Sequence, residues 1–104
     1  MSRPTVVVLE HEQPAMTGVL TFDGETFERF GFNTIHSARV PVYLMKSVEV
    51  SFESGLLKTP YFRIEGVGGV GVTLGLDPKE SDKPALESLA GEIDAAISKG
   101  GWPT

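Results

Sequence analysis

The sequence predicts a mostly β domain, a small barrel or sandwich that is closed by a single C-terminal helix. Between residues 18 and 76 the apolar residues mostly alternate with polar ones, which is the period of a half-buried strand. From Leu86 to Ile97 they instead recur at helical spacing. The 12 glycines and 7 prolines among 104 residues are typical of a chain with many turns.

The N-terminal part, residues 1–17, is predicted to be a strand or arm followed by a linker. Thr5–Leu9 is rich in β-branched residues and indicates a strand, whereas residues 10–17 are polar and contain Pro14. Gly18–Phe22 and residues 26–32 are expected to pair as a hairpin around Asp23-Gly24, a dipeptide that tolerates positive φ.

Four phenylalanines are expected to make this hairpin the aromatic part of the core: Phe22, Phe27, Phe30 and Phe32. Phe27 and Phe30 differ in parity along their strand. A bulge, or burial on both faces of the sheet, is therefore expected there.

The middle of the chain predicts further strands over residues 35–44 and 48–53. Pro41 cannot donate to a strand ladder, so it favours an edge or a bulge in the first of them. In the second, Val48, Val50 and Phe52 alternate with polar residues and are expected to face the core.

Strands over residues 61–65 and 70–76 and a turn over residues 77–80 precede the helix. Ser81 or Asp82 is the expected N-cap, and Gly100 is the expected stop signal before a flexible tail, residues 100–104. The helix presents one apolar stripe, which is expected to pack on the strands over residues 48–53 and 61–65. The stripe is Leu86, Leu89, Ile93 and Ile97, and its expected partners are Val48, Val50, Phe52, Phe62 and Ile64.

Composition argues against several classes of function. The net charge is −5, and the nine Lys and Arg residues are scattered, which disfavours nucleic acid and makes an acidic membrane surface an unlikely partner. The absence of cysteine excludes disulfides and thiolate chemistry. Because the sequence has no apolar run of about 20 residues and no signal-peptide pattern, a cytoplasmic protein is expected.

None of the candidate catalytic and cofactor motifs has the sequence context that its chemistry requires. Residues 66–71 fit G-x-G-x-x-G and follow a predicted strand, but a strand rather than a helix follows Gly71, which favours a hairpin over a phosphate site. His11 and His36 have no neighbours at metal-ligand spacing. We therefore expect a non-enzymatic protein with no cofactor, no metal and no catalytic residue.

Two features favour binding to a protein partner. Leu56-Leu57 lies in a predicted loop beside Lys58, where it either caps the core or offers an apolar contact. Trp102 follows the helix and either docks on its own domain or anchors an interface. The predicted partner-contact set is Leu56, Leu57, Lys58, Tyr61 and Trp102.

Three segments resemble the opening of short bacterial pleckstrin-homology-like domains of the actinobacterial type. Residues 18–26 resemble the L-x-F-D-G element, Phe30-Gly31-Phe32 the R-x-G-F element, and Arg39-Val40-Pro41 the R-I-P-L element that precedes a hydrophobic strand. The resemblance covers roughly residues 17–99. It implies a bent antiparallel sheet or partly open barrel of about seven strands, with the C-terminal helix capping one end, over a domain of residues 18–99.

For function, we expect a protein-binding or self-associating module, because the chain has a strand marked by Pro41, an apolar Leu56-Leu57 loop and no catalytic motif. The resemblance implies a fold more than a role, although some domains of this kind look like such modules. An exposed strand edge is expected to accept a partner strand or a second copy of the chain by β-augmentation. The alternative is a small-ligand or membrane-surface site that uses possible anion contacts at Arg39, Lys46, Lys58 and Arg63 near one barrel mouth. A third alternative is a nucleotide-dependent enzyme that uses the loop of residues 66–71.

Overall fold

A computed structural model describes residues 3–10, 17–31, 37–76 and 82–103 of the chain. These residues form seven strands and one α-helix. The elements are β1 (Thr5–Leu9), β2 (Gly18–Phe22), β3 (Thr26–Gly31), β4 (Ala38–Pro41), β5 (Met45–Ser51), β6 (Tyr61–Gly66), β7 (Gly71–Gly75) and α1 (Lys83–Gly100), with short 3₁₀ helices at Val42–Leu44 and Val67–Gly69.

The strands form two antiparallel sheets, with orders β1-β2-β3-β4 and β5-β6-β7. One hydrophobic core joins both sheets and α1, because each of these elements contributes at least one buried apolar side chain. The rings of Phe27 and Phe62 stack across the core with centroids 5.7 Å apart. The expectation of a mostly β fold capped by one C-terminal helix is confirmed.

The N-terminal strand is part of this fold. β1 pairs with β2 along its whole length, from Thr5 opposite Phe22 to Leu9 opposite Gly18. Val7 and Leu9 alternate into the core and are buried. The domain is therefore not limited to the expected residues 18–99, because β1 pairs with β2 and adds buried side chains to the same core.

The β2–β3 hairpin forms at the predicted place, with Gly24 at a φ of +97°. Phe27 is fully buried, but Phe30 points to the outer face of the sheet and is 41% exposed. The pairing of β2 with β3 is continuous from Gly18 to Phe22. The predicted bulge or two-sided burial is therefore wrong: the strand is regular, and parity alone sends Phe30 outward.

The strand predicted over residues 35–44 ends early. β4 is an edge strand, as Pro41 predicted, but it already ends at that residue, and a 3₁₀ helix follows at Val42–Leu44. The amide of Val42 donates a 2.7 Å hydrogen bond to the carbonyl of Glu25, which holds this turn against the β2–β3 hairpin. β5 then begins at Met45 and ends at Ser51, so Phe52 lies just beyond it.

Helix α1 covers this assembly on one side. Leu86, Leu89 and Ile93 are fully buried, and Ile97 is half-buried. The helix packs mainly on β5, with further contacts to β1 and to the 3₁₀ helix Val42–Leu44. Asp82 takes the N-cap position and Gly101 the C-cap position.

The expected partners of the helix stripe all belong to the same core, but they are buried to different extents. Phe62 and Ile64 are buried, whereas Val48, Val50 and Phe52 pack at its margin and stay half-buried. Met45, which the alternation did not single out, is fully buried at the start of β5.

Several predictions concern residues outside the described ranges. They are the Pro14 linker, the side chains of His11, Phe32 and His36, the turn over residues 77–80 and the Ser81 alternative for the N-cap. In the described part of the chain, no helix is both long enough and apolar enough to cross a membrane.

Candidate functional site

The hairpin that joins β5 to β6 ends in a two-residue turn, which we call the leucine tip (residues 55–58). Gly55 and Lys58 bridge the two arms: the Gly55 amide donates to the Lys58 carbonyl at 3.1 Å, and the Lys58 amide donates to the Gly55 carbonyl at 3.3 Å. Leu56 and Leu57 therefore occupy the two central positions of a closed, hydrogen-bonded turn.

Both leucines of the tip are in solvent. Leu56 is 100% exposed and Leu57 is 96% exposed, so the alternative in which this pair caps the core is wrong. The reason is geometric, because β5 ends at Ser51 and β6 begins at Tyr61, and the tip projects beyond the last paired residues of both strands. Single exposed leucines are common, whereas two adjacent ones at the end of a projection are typical of a contact surface.

Charged and polar residues border the base of the tip. Lys58 Nζ lies 3.1 Å from Glu53 Oε2, in an ion pair that is open to solvent on both sides. The Glu53 amide donates to Ser51 Oγ at 3.3 Å. The tip is thus an apolar end with one basic and one acidic group directly behind it.

Tyr61 lies at the foot of the same hairpin. Its hydroxyl donates a hydrogen bond to Glu49 Oε1 on β5, and the Arg63 guanidinium stands 4.8 Å from the centre of its ring. The hydrogen bond to the Glu49 carboxylate raises the pKa of the Tyr61 phenol above its ordinary value. Of the predicted partner contacts, Leu56, Leu57, Lys58 and Tyr61 therefore belong to one hairpin.

Trp102 lies elsewhere. Its backbone amide donates to the Met45 carbonyl at 2.9 Å, which fixes it beside the first residue of β5, whereas the tip follows the last. The indole is 44% exposed, so the backbone docks on its own domain while much of the side chain stays in solvent. The structure does not bring Trp102 together with the leucine tip.

The four possible anion contacts are also dispersed. Arg39 is on β4 of the first sheet, where its Nε lies 3.7 Å from Glu28 Oε1. Lys46 is near the start of β5, while Lys58 follows the end of that strand, and Arg63 is opposite Glu49 on β6. The expectation that they gather near one barrel mouth is wrong, because the strand register spreads them over two sheets and both ends of β5.

The glycine segment over residues 66–71 is the connection of the β6–β7 hairpin. β7 begins at Gly71, where a dinucleotide site requires a helix. A Cβ at Gly66 would lie 2.5 Å from the Val70 carbonyl oxygen and 2.6 Å from that of Leu44, and one at Gly71 would lie 2.5 Å from that of Ile64. These two glycines are required by close backbone contacts inside the fold.

A second surface feature was not predicted. A groove of about 720 Å³, which we call the helix groove, runs between the C-terminal half of α1, the β2–β3 turn and the 3₁₀ helix that follows β4. Buried Phe22 and Val42 and the helix residues Ala95 and Ala96 supply its apolar surface, and Tyr43 stands at its side with 65% exposure. Sequence spacing does not reveal the groove because its lining comes from four separate segments of the chain. In the sequence, the groove is indicated only by Tyr43, an aromatic residue between two apolar neighbours.

Charges of both signs surround the helix groove. Arg3 and Lys99 are basic, and Asp23, Glu25 and Glu92 are acidic. Glu92 Oε1 accepts a 2.8 Å hydrogen bond from Thr5 Oγ1, which ties α1 to β1 at one side of the groove. Asp23 Oδ1 accepts the amides of Glu25 and Thr26, each at 2.8 Å, and these bonds lower the pKa of its carboxyl group.

The described residues offer no group of three or more His, Cys, Asp or Glu side chains that could hold a metal ion. No protein-family model matches the chain, and no curated protein and no solved structure matches it either.

Proposed function

We propose that the chain is a cytoplasmic, non-enzymatic, protein-binding domain of the pleckstrin-homology-like kind, which inserts its leucine tip into an apolar pocket of its partner. The observation that carries the proposal is the full exposure of Leu56 and Leu57 at the closed end of a hairpin. The seven antiparallel strands and the C-terminal helix support the pleckstrin-homology-like assignment, since the resemblance implied about seven strands capped by one helix.

The energetics favour the tip as an anchor. Burial of one leucine side chain contributes about 1.5–3 kcal/mol, and the two leucines of the tip are adjacent. The bridge between Gly55 and Lys58 holds the turn before binding, so little conformational entropy is lost on association. A single hairpin end buries a small area, which suits a transient contact.

The leucine tip is a better contact than the strand edge considered from the sequence. β4, the edge strand marked by Pro41, is only four residues long and lies beside β7. Short edge strands that end in proline offer few free hydrogen-bonding groups to a partner strand. We therefore assign partner binding to the tip.

Photo-crosslinking tests this function. A photoreactive residue replaces Leu57 in one variant and Thr73 in the control, since Thr73 is exposed on β7 of the same sheet. Both variants are irradiated in cells of the native host. We expect protein adducts from position 57 that are absent from position 73 and that decrease when Leu56→Ser is added.

Two outcomes would contradict the proposal. Equal labelling from positions 57 and 73 would mean that the tip has no specific partner. Adducts with phospholipid in place of protein would support the membrane-surface alternative.

A further inference from the structure

The same chain carries an exposed apolar projection and an apolar groove of matching chemistry. We propose that the leucine tip of one molecule docks into the helix groove of a second copy, so that the chain assembles head to tail. This inference rests on the proposed function of the tip and names its partner. It is carried by three observations: where the two features lie, what they expose and how they are charged.

The positions of the two features exclude contact within one molecule. The side of the helix groove at Tyr43 immediately precedes β5, and the leucine tip follows the other end of that strand. A strand of seven residues separates its ends by about 20 Å. The tip therefore points away from its own groove and is free to enter another molecule's.

Exposure singles out these two surfaces. Among the large hydrophobic side chains in the described part of the chain, Leu56, Leu57 and Tyr43 are the three most exposed. Tyr43 borders the helix groove, and Ala95 and Ala96 leave room on the helix side. An aromatic ring beside small helix residues is a surface on which leucine side chains pack well.

The charges also match. Lys58 and Glu53 stand directly behind the leucines, one basic and one acidic. The groove presents Asp23 and Glu25 from the β2–β3 turn and Lys99 from α1. Arg3 and Glu92 add one further charge of each sign to the groove, so both Lys58 and Glu53 of a docked tip would have groups of opposite charge available.

The arrangement has a defined consequence for assembly. A contact between two different surfaces leaves a free tip at one end of every dimer and a free groove at the other. Further copies therefore add until a ring closes or a filament grows. The small contact area predicts weak, concentration-dependent assembly.

Sedimentation of the purified full chain over a concentration series tests the inference. The weight-average mass of the wild type is expected to rise above the 11.2 kDa of one chain as concentration increases. Leu56→Ser/Leu57→Ser removes the tip, and Ala95→Arg fills the groove from an exposed helix position. We expect each variant to lower the association constant about tenfold or more. Phe30→Ser, on the outer face of the first sheet, is the control and leaves assembly unchanged.

Mixing the two assembly-deficient variants gives the sharpest result. The tip variant retains an intact groove, and the groove variant retains an intact tip. An equimolar mixture is therefore expected to form a species of two chains and nothing larger. Circular dichroism of each variant confirms that loss of assembly is not loss of folding.

Three results would overturn the inference: a wild type that stays monomeric at every concentration, assembly that only Phe30→Ser abolishes, or a mixture that forms no two-chain species. None of these results removes the proposed function, because adducts between position 57 and a different protein would still identify the tip as a binding site. Conversely, equal labelling from positions 57 and 73, with no assembly, would remove both.

Discussion

Asp23 closes the β2–β3 hairpin through two hydrogen bonds from the backbone. Its Oδ1 accepts the amides of Glu25 and Thr26 at 2.8 Å, while Gly24 takes the positive φ that the turn requires. A charged acceptor makes such bonds stronger, which is why they lower the pKa of the carboxyl group. One side chain thus positions a turn that also forms part of the helix groove.

At this scale we predict a pH-dependent contribution from Asp23. Because its pKa is lowered on folding, the charged form contributes stability above the ordinary aspartate value of about 3.9 and loses it as pH falls through the folded-state pKa. Asp23→Ala is expected to lower the free energy of unfolding by about 0.5–1 kcal/mol at pH 7. Urea unfolding at pH 7, 5 and 3 measures this difference, which should shrink at pH 3.

Asp23→Asn is the matched control, since the amide oxygen keeps the acceptor and removes the charge. It is expected to lose less stability than Asp23→Ala at pH 7 and to show a weaker acid dependence than the wild type. A difference between wild type and Asp23→Ala that grows on acidification would contradict this account.

At the scale of the element, the β6–β7 hairpin shows that a glycine pattern reflects backbone packing. Gly66 and Gly71 lie where the backbone carbonyl oxygens of Leu44, Val70 and Ile64 approach too closely for a side chain. Gly68 and Gly69 have φ values of +59° and +82°, which L-residues with side chains rarely adopt. Each glycine in this connection therefore has a conformational or packing reason.

We predict that Gly66→Ala and Gly75→Ala differ sharply in stability. The added methyl group at Gly66 meets two carbonyl oxygens and should cost about 1–3 kcal/mol, because backbone must move to admit it. Gly75 ends β7 with open space around it, so its change should fall within about 0.5 kcal/mol. Thermal unfolding of both variants measures the contrast, and equal costs would refute the packing explanation.

At the scale of the whole molecule, two sheets and a helix share one core. The stacked rings of Phe27 and Phe62 belong to different sheets and connect them directly. Leu86, Leu89 and Ile93 complete the core from the helix side. This shared core sets the leucine tip and the helix groove at opposite ends of β5, the separation on which the proposed head-to-tail contact depends.

We predict that the two phenylalanines of β3 differ in their effect on folding. Phe27→Ala opens a cavity between the sheets and should cost about 3–5 kcal/mol, whereas Phe30→Ala on the outer face should cost about 1 kcal/mol or less. Equilibrium urea unfolding compares them. If Phe27→Ala does not fold, Phe27→Leu provides a smaller cavity, and a cost no greater than that of Phe30→Ala would contradict the assigned core.

The chain order of strands and helix was predictable because each depends on local spacing. Alternation located β2, β6 and β7, and the stripe of α1 was correct from Leu86 to Ile93. The end of β4 was not predictable, since it depends on a hydrogen bond from Val42 to Glu25, which belongs to a different hairpin. In a regular strand, Phe27 and Phe30 face opposite sides of the sheet, so the burial of Phe27 places Phe30 on the outer face. The apolar character of the Phe30 side chain had instead suggested burial.

The candidate site, like the fold, was predictable from the sequence only in part. The sequence by itself determined that Leu56-Leu57 is an apolar pair in a connecting loop, and it left open whether the pair caps the core. Only the tertiary structure decided this, because exposure depends on where the loop lies relative to both strand ends. The helix groove exists only after folding, since its surface is assembled from residues as distant as Arg3 and Lys99. Spacing along the chain determines local periodicity, whereas a contact between remote segments is set by how the sheets and the helix pack.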